Sequence, residues 1–396
     1  MQQIGGWGAV SSLPMSEPGN VDAELVGEVL RVAQELGGLL EYDGDQDAVL
    51  FENGDRVYLG DIREAWGGLL EGERRTWLRS VIGEMRRGFN TVDVQRVVPA
   101  VRSRTVVEGA RLVGAASGEP VQPIPFRLLT EDLIVVLVED RPGAMVELTE
   151  EMVAEAGVSF DSLYETGREH LRVTSDSASW GVFAGRVFVS LWEDGHDASR
   201  LLVPELWADL PLPGNVVAIV PHQNSLIVTG DGDPDALLLA FEMAAMQMGQ
   251  PSPVSAIPLV QRGDGWVPLE LDDTHLASSA WRRLVGLDLV ATSNELASRL
   301  QKAVGEGVFV ANVLTREHEL TGELETIAVW SEGVPVLLPR VDLVALRPNG
   351  VEQAIFVPWS KVAEVCSDIL EPTDYHPPRW KAIGFPDAAQ MERLTS

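Results

Sequence analysis

Residues 216–230 read VVAIVPHQNSLIVTG, and the fold class turns on them. Val216–Val220 and Ser225–Thr229 are two β-rich runs of five, joined by the four-residue link Pro221–Asn224. A link that short connects antiparallel neighbours; a parallel pair needs a crossover of a dozen residues or more. Pro234 then opens a helix over Asp235–Met248, and Ile257–Gln261 with Trp266–Leu271 forms another hairpin around Gly263–Gly265. Upstream, Leu133–Val138 is a solid apolar run of six, the length of a buried strand. Strands and helices are mixed and the connections are short, so the expected class is α+β, multi-domain, with mostly antiparallel sheets and packed helices.

Outward from this block the chain separates into four parts. Residues 1–19 read as a flexible Gly/Ser/Pro arm. Residues 20–120 read as a helix–hairpin–helix α+β domain. Its helix begins after Asn20 with apolar residues from Leu25 to Leu36, its hairpin turns at Asn53-Gly54, and two helices lie near Ile62–Leu70 and Glu73–Arg87. The segment Gly114–Pro125 reads as a linker. Residues 121–271 form the central domain. Residues 272–396 form a third domain, with helices at Leu276–Leu284 and Glu295–Val304, five strands, and a tail rich in Pro and aromatic residues.

Composition excludes several classes. The 396 residues carry 30 Lys+Arg against 60 Asp+Glu, a formal charge of −30. A nucleic-acid binder needs a basic footprint, and an anionic membrane would repel this chain. The single cysteine, Cys366, rules out an internal disulfide and any cysteine-based metal site, and one thiol in a chain this long fits a reducing compartment. The opening residues show no signal-peptide pattern, and the longest apolar run falls far short of a membrane span. A cytoplasmic protein is expected. There is no P-loop, no G-x-G-x-x-G, no G-x-S-x-G and no H-E-x-x-H, so neither a cofactor nor a metal is expected.

Several short strings have a familiar order. Asp132-Leu-Ile-Val-Val-Leu-Val-Glu-Asp140 is followed by a Thr-capped helix and then by Asp194-Gly-His-Asp-Ala-Ser-Arg-Leu-Leu202; Ser225-Leu-Ile-Val-Thr-Gly230 precedes an acidic helix. The first domain adds Tyr58-Leu-Gly-Asp61, an Arg-rich helix and Pro99–Arg104. In this order the chain resembles the YtpQ-like family of bacterial proteins over roughly residues 20 to 271. The family tends to have Asn where this chain has His170. It has no established biochemical function, so the resemblance implies domain limits and a cytoplasmic setting, with residues 272–396 as an appended domain, and implies no reaction.

Three groups of residues are candidates for function. The first is the loop Asp194, His196, Asp197, Ser199 and Arg200, where two carboxylates, an imidazole and a hydroxyl would hold a ligand or partner, or run acid–base chemistry. The competing reading makes Asp197 a helix cap and pairs Arg200 with a carboxylate. The second is the basic stretch Arg74, Arg75, Arg79, Arg86 and Arg87, which would either dock an acidic partner or pair with acidic neighbours. The third is the tail group Tyr375, His376, Arg379 and Trp380, a docking segment or a clamp on the body. Asp231-Gly-Asp-Pro-Asp235 starts like a calcium loop and lacks the rest of the pattern, so Asp233 is read as a cap. The charge favours an interaction or regulatory module for a protein partner, possibly a basic one. The alternatives are a hydrolase-like or metal-dependent acid–base enzyme using the Asp194–Arg200 loop, and an immunity- or defence-associated factor.

Overall fold

The computed structural model describes residues 21–35, 40–43, 48–51, 56–58, 66, 69–86, 92–118, 121–141, 144–175, 179–250, 252–263, 265–318 and 321–396. The class is α+β, with mostly antiparallel sheets. The chain separates into two compact units, one of Met1–Thr91 with Asp140–Val146 and one of Val92–Glu139 with Glu147–Ser396. The N-terminal arm, the Asn20 cap, the Asn53-Gly54 turn, most of the Ile62–Leu70 helix and Arg87 lie outside the described residues.

The first unit contains α1 (Val21–Glu35), the antiparallel strands β1 (Leu40–Asp43), β2 (Ala48–Phe51) and β3 (Arg56–Tyr58), and α2 (Glu71–Arg86). Leu25, Val29, Val32 and Ala33 recur at helical spacing and meet Trp66, Leu78, Val81 and Ile82 in one core. Three of the basic residues of α2 have partners within this unit. Arg79 pairs with Glu35 at 2.6 Å, Arg75 pairs with Glu28 and Glu35, and Arg74 lies over the Trp66 ring at 5.2 Å. Such exposed pairs contribute about 0–1 kcal/mol each. Arg86 is the last residue of α2.

The second unit begins with β4 (Val97–Ser103), α3 (Thr105–Ser117), β5 (Arg127–Leu128) and β6 (Leu133–Arg141), whose last two residues, like the first three of β7 (Ala144–Glu147), belong to the first unit. It continues through α4 (Glu150–Glu155), α5 (Phe160–Thr174), β8 (Trp180–Phe183), β9 (Val187–Ser190), β10 (Val216–His222), β11 (Ile227–Gly230), α6 (Pro234–Gln247), β12 (Pro253–Arg262) and β13 (Gly265–Pro268). The 27-residue helix α7 (Ser278–Val304) leads into β14 (Phe309–Val310), β15 (Leu314–Glu317), β16 (Leu324–Ser331), β17 (Val336–Pro339), β18 (Leu343–Arg347) and β19 (Ile355–Pro358). Last come α8 (Trp359–Val365), β20 (Leu370–Pro372), β21 (Arg379–Ala382) and α9 (Ala388–Thr395).

The central sheet runs β13-β12-β10-β11-β9-β8, antiparallel throughout. Its strands alternate with period two. Val217, Ile219 and Ile227 face one side and pack on Leu237, Ala240 and Phe241 of α6 and Leu284 of α7. Ala218, Val220 and Val228 face the other side and pack on Val101, Val135, Leu201 and Trp207. Both faces are buried, which is why the sequence shows unbroken apolar runs here.

The boundaries expected near residues 120 and 272 both fall inside the second unit. β4 pairs β6 over a seven-residue antiparallel register, Val97↔Glu139 to Ser103↔Leu133, which ties residues 97–103 to the central block. Pro99 and Arg102 hide this strand in the sequence, and the structure buries Arg102 with its Nε 3.5 Å from Glu147. The two helices expected at 276–284 and 295–304 are one. Within it, Asn294 exchanges two 2.9 Å hydrogen bonds with the Val313 backbone. The amphipathic stretch 198–207 is instead two 3-10 turns, Ala198–Leu202 and Pro204–Trp207, because Pro204 lacks the amide an α-helix would use.

α5 approaches β4 closely through Gly167, where a Cβ would stand 2.7 Å from Val97 O and 2.8 Å from Pro99 Cδ. Gly167→Ala is expected to lower stability by about 1–2 kcal/mol by urea denaturation, overpacking outweighing the helix-propensity gain of about 1 kcal/mol. A variant as stable as the parent would mean that α5 does not seat this tightly.

Candidate functional site

The loop singled out in the sequence is built around Arg200. Its guanidinium is wholly buried, makes a two-pronged pair with Asp194 at 2.8 and 2.7 Å, bonds Ser175 Oγ at 2.9 Å and lies 4.3 Å from the Trp192 ring. Burial pushes the Asp194 carboxyl up, yet Arg200 and the His196 N–H hold it below its ordinary value. Ser199 Oγ accepts from the Val101 N–H at 3.2 Å and so fastens the loop to β4. Ser199 and Asp197 are wholly buried and His196 is 5% exposed. Asp197 does not cap the following turn: its φ, ψ of −54°, −50° are helical and no side-chain bond reaches the backbone there. Its carboxylate has no hydrogen-bond partner among the described residues. The loop thus fastens the interior of the second unit, and only Asp194 of the five is exposed.

The tail group is likewise internal. Arg379, 2% exposed, donates to Ala311 O at 2.7 Å, Ser293 O at 3.3 Å and Leu337 O at 3.4 Å. It joins α7, β17 and the segment after β14, and burial lowers its pKa to about 10. β21 pairs with β17, and Trp380 stacks against Trp359 at 4.8 Å. Arg111 pairs with Glu108 and lies over Tyr375 at 5.2 Å. These residues are a clamp, and His376 and Arg379 are too buried to dock a partner. Asp233 caps α6 by accepting from the Ala236 N–H at 3.0 Å.

What the sequence did not reveal is a cavity of about 450 Å³ in the second unit. One wall is a single face of α7, with Trp281, Val285, Asp288, Leu289 and Thr292 at spacings of three and four residues. Gly286 lets the helix approach β16: a Cβ there would meet Leu324 Cδ2 at 3.3 Å and Thr326 Cγ2 at 3.4 Å. The other walls are Glu131 and Asp132 before β6, Arg340 to Asp342 between β17 and β18, Ile257, and Pro377-Pro378. Apolar walls with a few convergent polar groups are what small-molecule sites share.

Four carboxyl groups line this space. Asp342 is occupied, accepting from both the N–H (2.7 Å) and the Oγ1 (2.6 Å) of Thr326. Asp288, 5% exposed, accepts from the Ala256 N–H at 2.5 Å; burial pushes it up to about 7, with the Ala256 bond opposing and Asp132 adding. Burial and then Glu131 push Asp132 up to about 6 against the pull of Arg104. His376 Nε2 stands 3.7 Å from Asp132, but burial and Arg104 push the imidazole down to about 4, so near neutral pH this contact is not an ion pair. Arg282 is taken by Asp273 and Glu323, at 2.6 Å each. A smaller void of about 50 Å³, lined by Ser103, Pro253, Glu295 and others, also reaches Asp288 and Thr292.

The signal that could have found this site is the stripe 281–285–288–289–292, obscured because residues 285–294 read as a gap between helices. Among the described residues, no group of three or more His, Cys, Asp or Glu is placed to hold a metal ion, and no helix is long and apolar enough to cross a membrane. No family model, curated protein or solved structure matches the chain.

Asp288 also predicts a pH signature. A carboxyl raised from about 3.8 to about 7 favours the folded state below pH 4, and that contribution is lost as pH rises towards 7. Asp288→Asn keeps an acceptor for Ala256 and cannot ionise. Denaturation from pH 4 to pH 7 should therefore show the variant gaining on the parent, by up to about 4 kcal/mol. A flat difference would show that Asp288 ionises freely.

Proposed function

We propose that the protein acts by binding: it is an interaction or regulatory module whose second unit takes a small molecule in the α7 cavity. The observation that carries this reading is the cavity itself, about 450 Å³ with apolar walls and two carboxyls whose pKa values burial has raised. The −30 charge supports a basic protein as the further partner, since a surplus of carboxylates speeds encounter with cationic surfaces. The Asp194–Arg200 loop serves this reading as a fastening of the same unit.

A second reading, acid–base catalysis in the same cavity, rests on Asp132. Its pKa near 6 and its place beside the neutral imidazole of His376 suit a group that carries a proton at neutral pH.

A fragment screen by thermal shift tests the first reading. Bound fragments should raise Tm in the parent and leave Val285→Trp, whose indole fills the cavity, unchanged. Fragments that stabilise both equally would remove the cavity from the proposal. Bound fragments recovered chemically unchanged favour binding, and turnover that disappears in Asp132→Asn would favour the second reading.

A further inference from the structure

The charges around the cavity are unequal in what they leave free. Of the two lining cations, Arg282 is held by Asp273 and Glu323; Arg340 is exposed. Of the four lining carboxyls, Asp342 is bonded to Thr326, whereas Glu131, Asp132 and Asp288 have no ion pair with Arg or Lys among the described residues. An anion entering here would face three carboxyl groups, with exposed Arg340 in the lining and the pull of Arg104 on Asp132 as the counter-charge. A neutral molecule would gain only from the apolar walls. A cation supplies the partner that ionised Asp288 and Asp132 lack, inside a space where water screens little.

Resting on the reading of the cavity as a small-molecule site, we propose that its ligand is a small organic cation, an alkyl- or arylalkyl-ammonium. The charged head sits against Asp288 and Asp132, and the apolar body lies along Trp281, Val285 and Leu289. The indole of Trp281 is fixed by its 2.9 Å bond to Leu269 O, and an aromatic wall suits a cation as well as an apolar chain. The charged and titratable groups around Asp288 and Asp132 are Arg104 after β4, Glu131 before β6, Arg282 and Glu295 on α7, Arg340 and Asp342 between β17 and β18, and His376 in the tail. Because Asp288 and Asp132 hold protons with pKa values of about 7 and about 6, ammonium binding releases protons below those values. Affinity therefore rises from pH 5 to pH 8.

Calorimetry on the full chain in low salt tests this with three probes of matched shape: phenethylammonium, 2-phenylethanol and 3-phenylpropanoate. The expected result is ammonium binding at least tenfold tighter than the alcohol, with the carboxylate weakest. Asp288→Asn and Asp132→Asn should each weaken the ammonium at least tenfold and leave the alcohol within twofold; should one variant fail to fold, the other carries the comparison. An alcohol or carboxylate that binds as tightly as the ammonium overturns the charge assignment and leaves the cavity reading standing. So does ammonium affinity that neither variant changes. Silence from all three probes overturns both.

Discussion

A six-stranded sheet with apolar side chains on both faces must be covered twice, and the second unit is organised around that requirement. α6 and part of α7 close one side of the central sheet. β4, β6 and the 3-10 turns around Leu201 and Trp207 close the other. α7 is longer than this task needs, so it continues past the sheet to pack on β16 and to carry Leu296 and Leu300 into a further cluster with Leu112 and Leu337. One rod thus belongs to several cores at once, and where its face is not matched by side chains a cavity remains. The candidate site is a by-product of how the layers are covered.

Much of this was legible where local signals agree. The Val216–Thr229 hairpin, the Thr149, Ser159 and Asp233 caps and the Pro at the start of α6 all follow from short-range chemistry, and the structure contains each. β4 was not legible, because Pro99 and Arg102 obscure its apolar character, and only the folded structure shows it paired with β6 and Arg102 beside Glu147. The continuity of α7 was not legible either, since Asn294 within it finds its partner in the Val313 backbone nineteen positions away. The cavity draws on six separated parts of the chain, from Glu131 to Pro378, which no local pattern can assemble.

Polar residues that look functional in a string of letters can be structural in three dimensions. Arg200 and Arg379 are almost fully buried, and each is satisfied in a different way: Arg200 by a carboxylate and a hydroxyl, Arg379 by three backbone carbonyls. A buried guanidinium needs such a set of acceptors, and with them it fixes the geometry of several elements together. The carboxyls whose burial is not matched by an Arg or Lys among the described residues are of two kinds: Asp288 on α7 and Asp132 before β6 border the cavity, whereas Asp197 is enclosed in the histidine-bearing loop that first draws the eye.

Asp288 and Thr292 border two voids, the large one and a small one. A substitution at either residue therefore reshapes both spaces together, so that a change made to widen one is felt in the other.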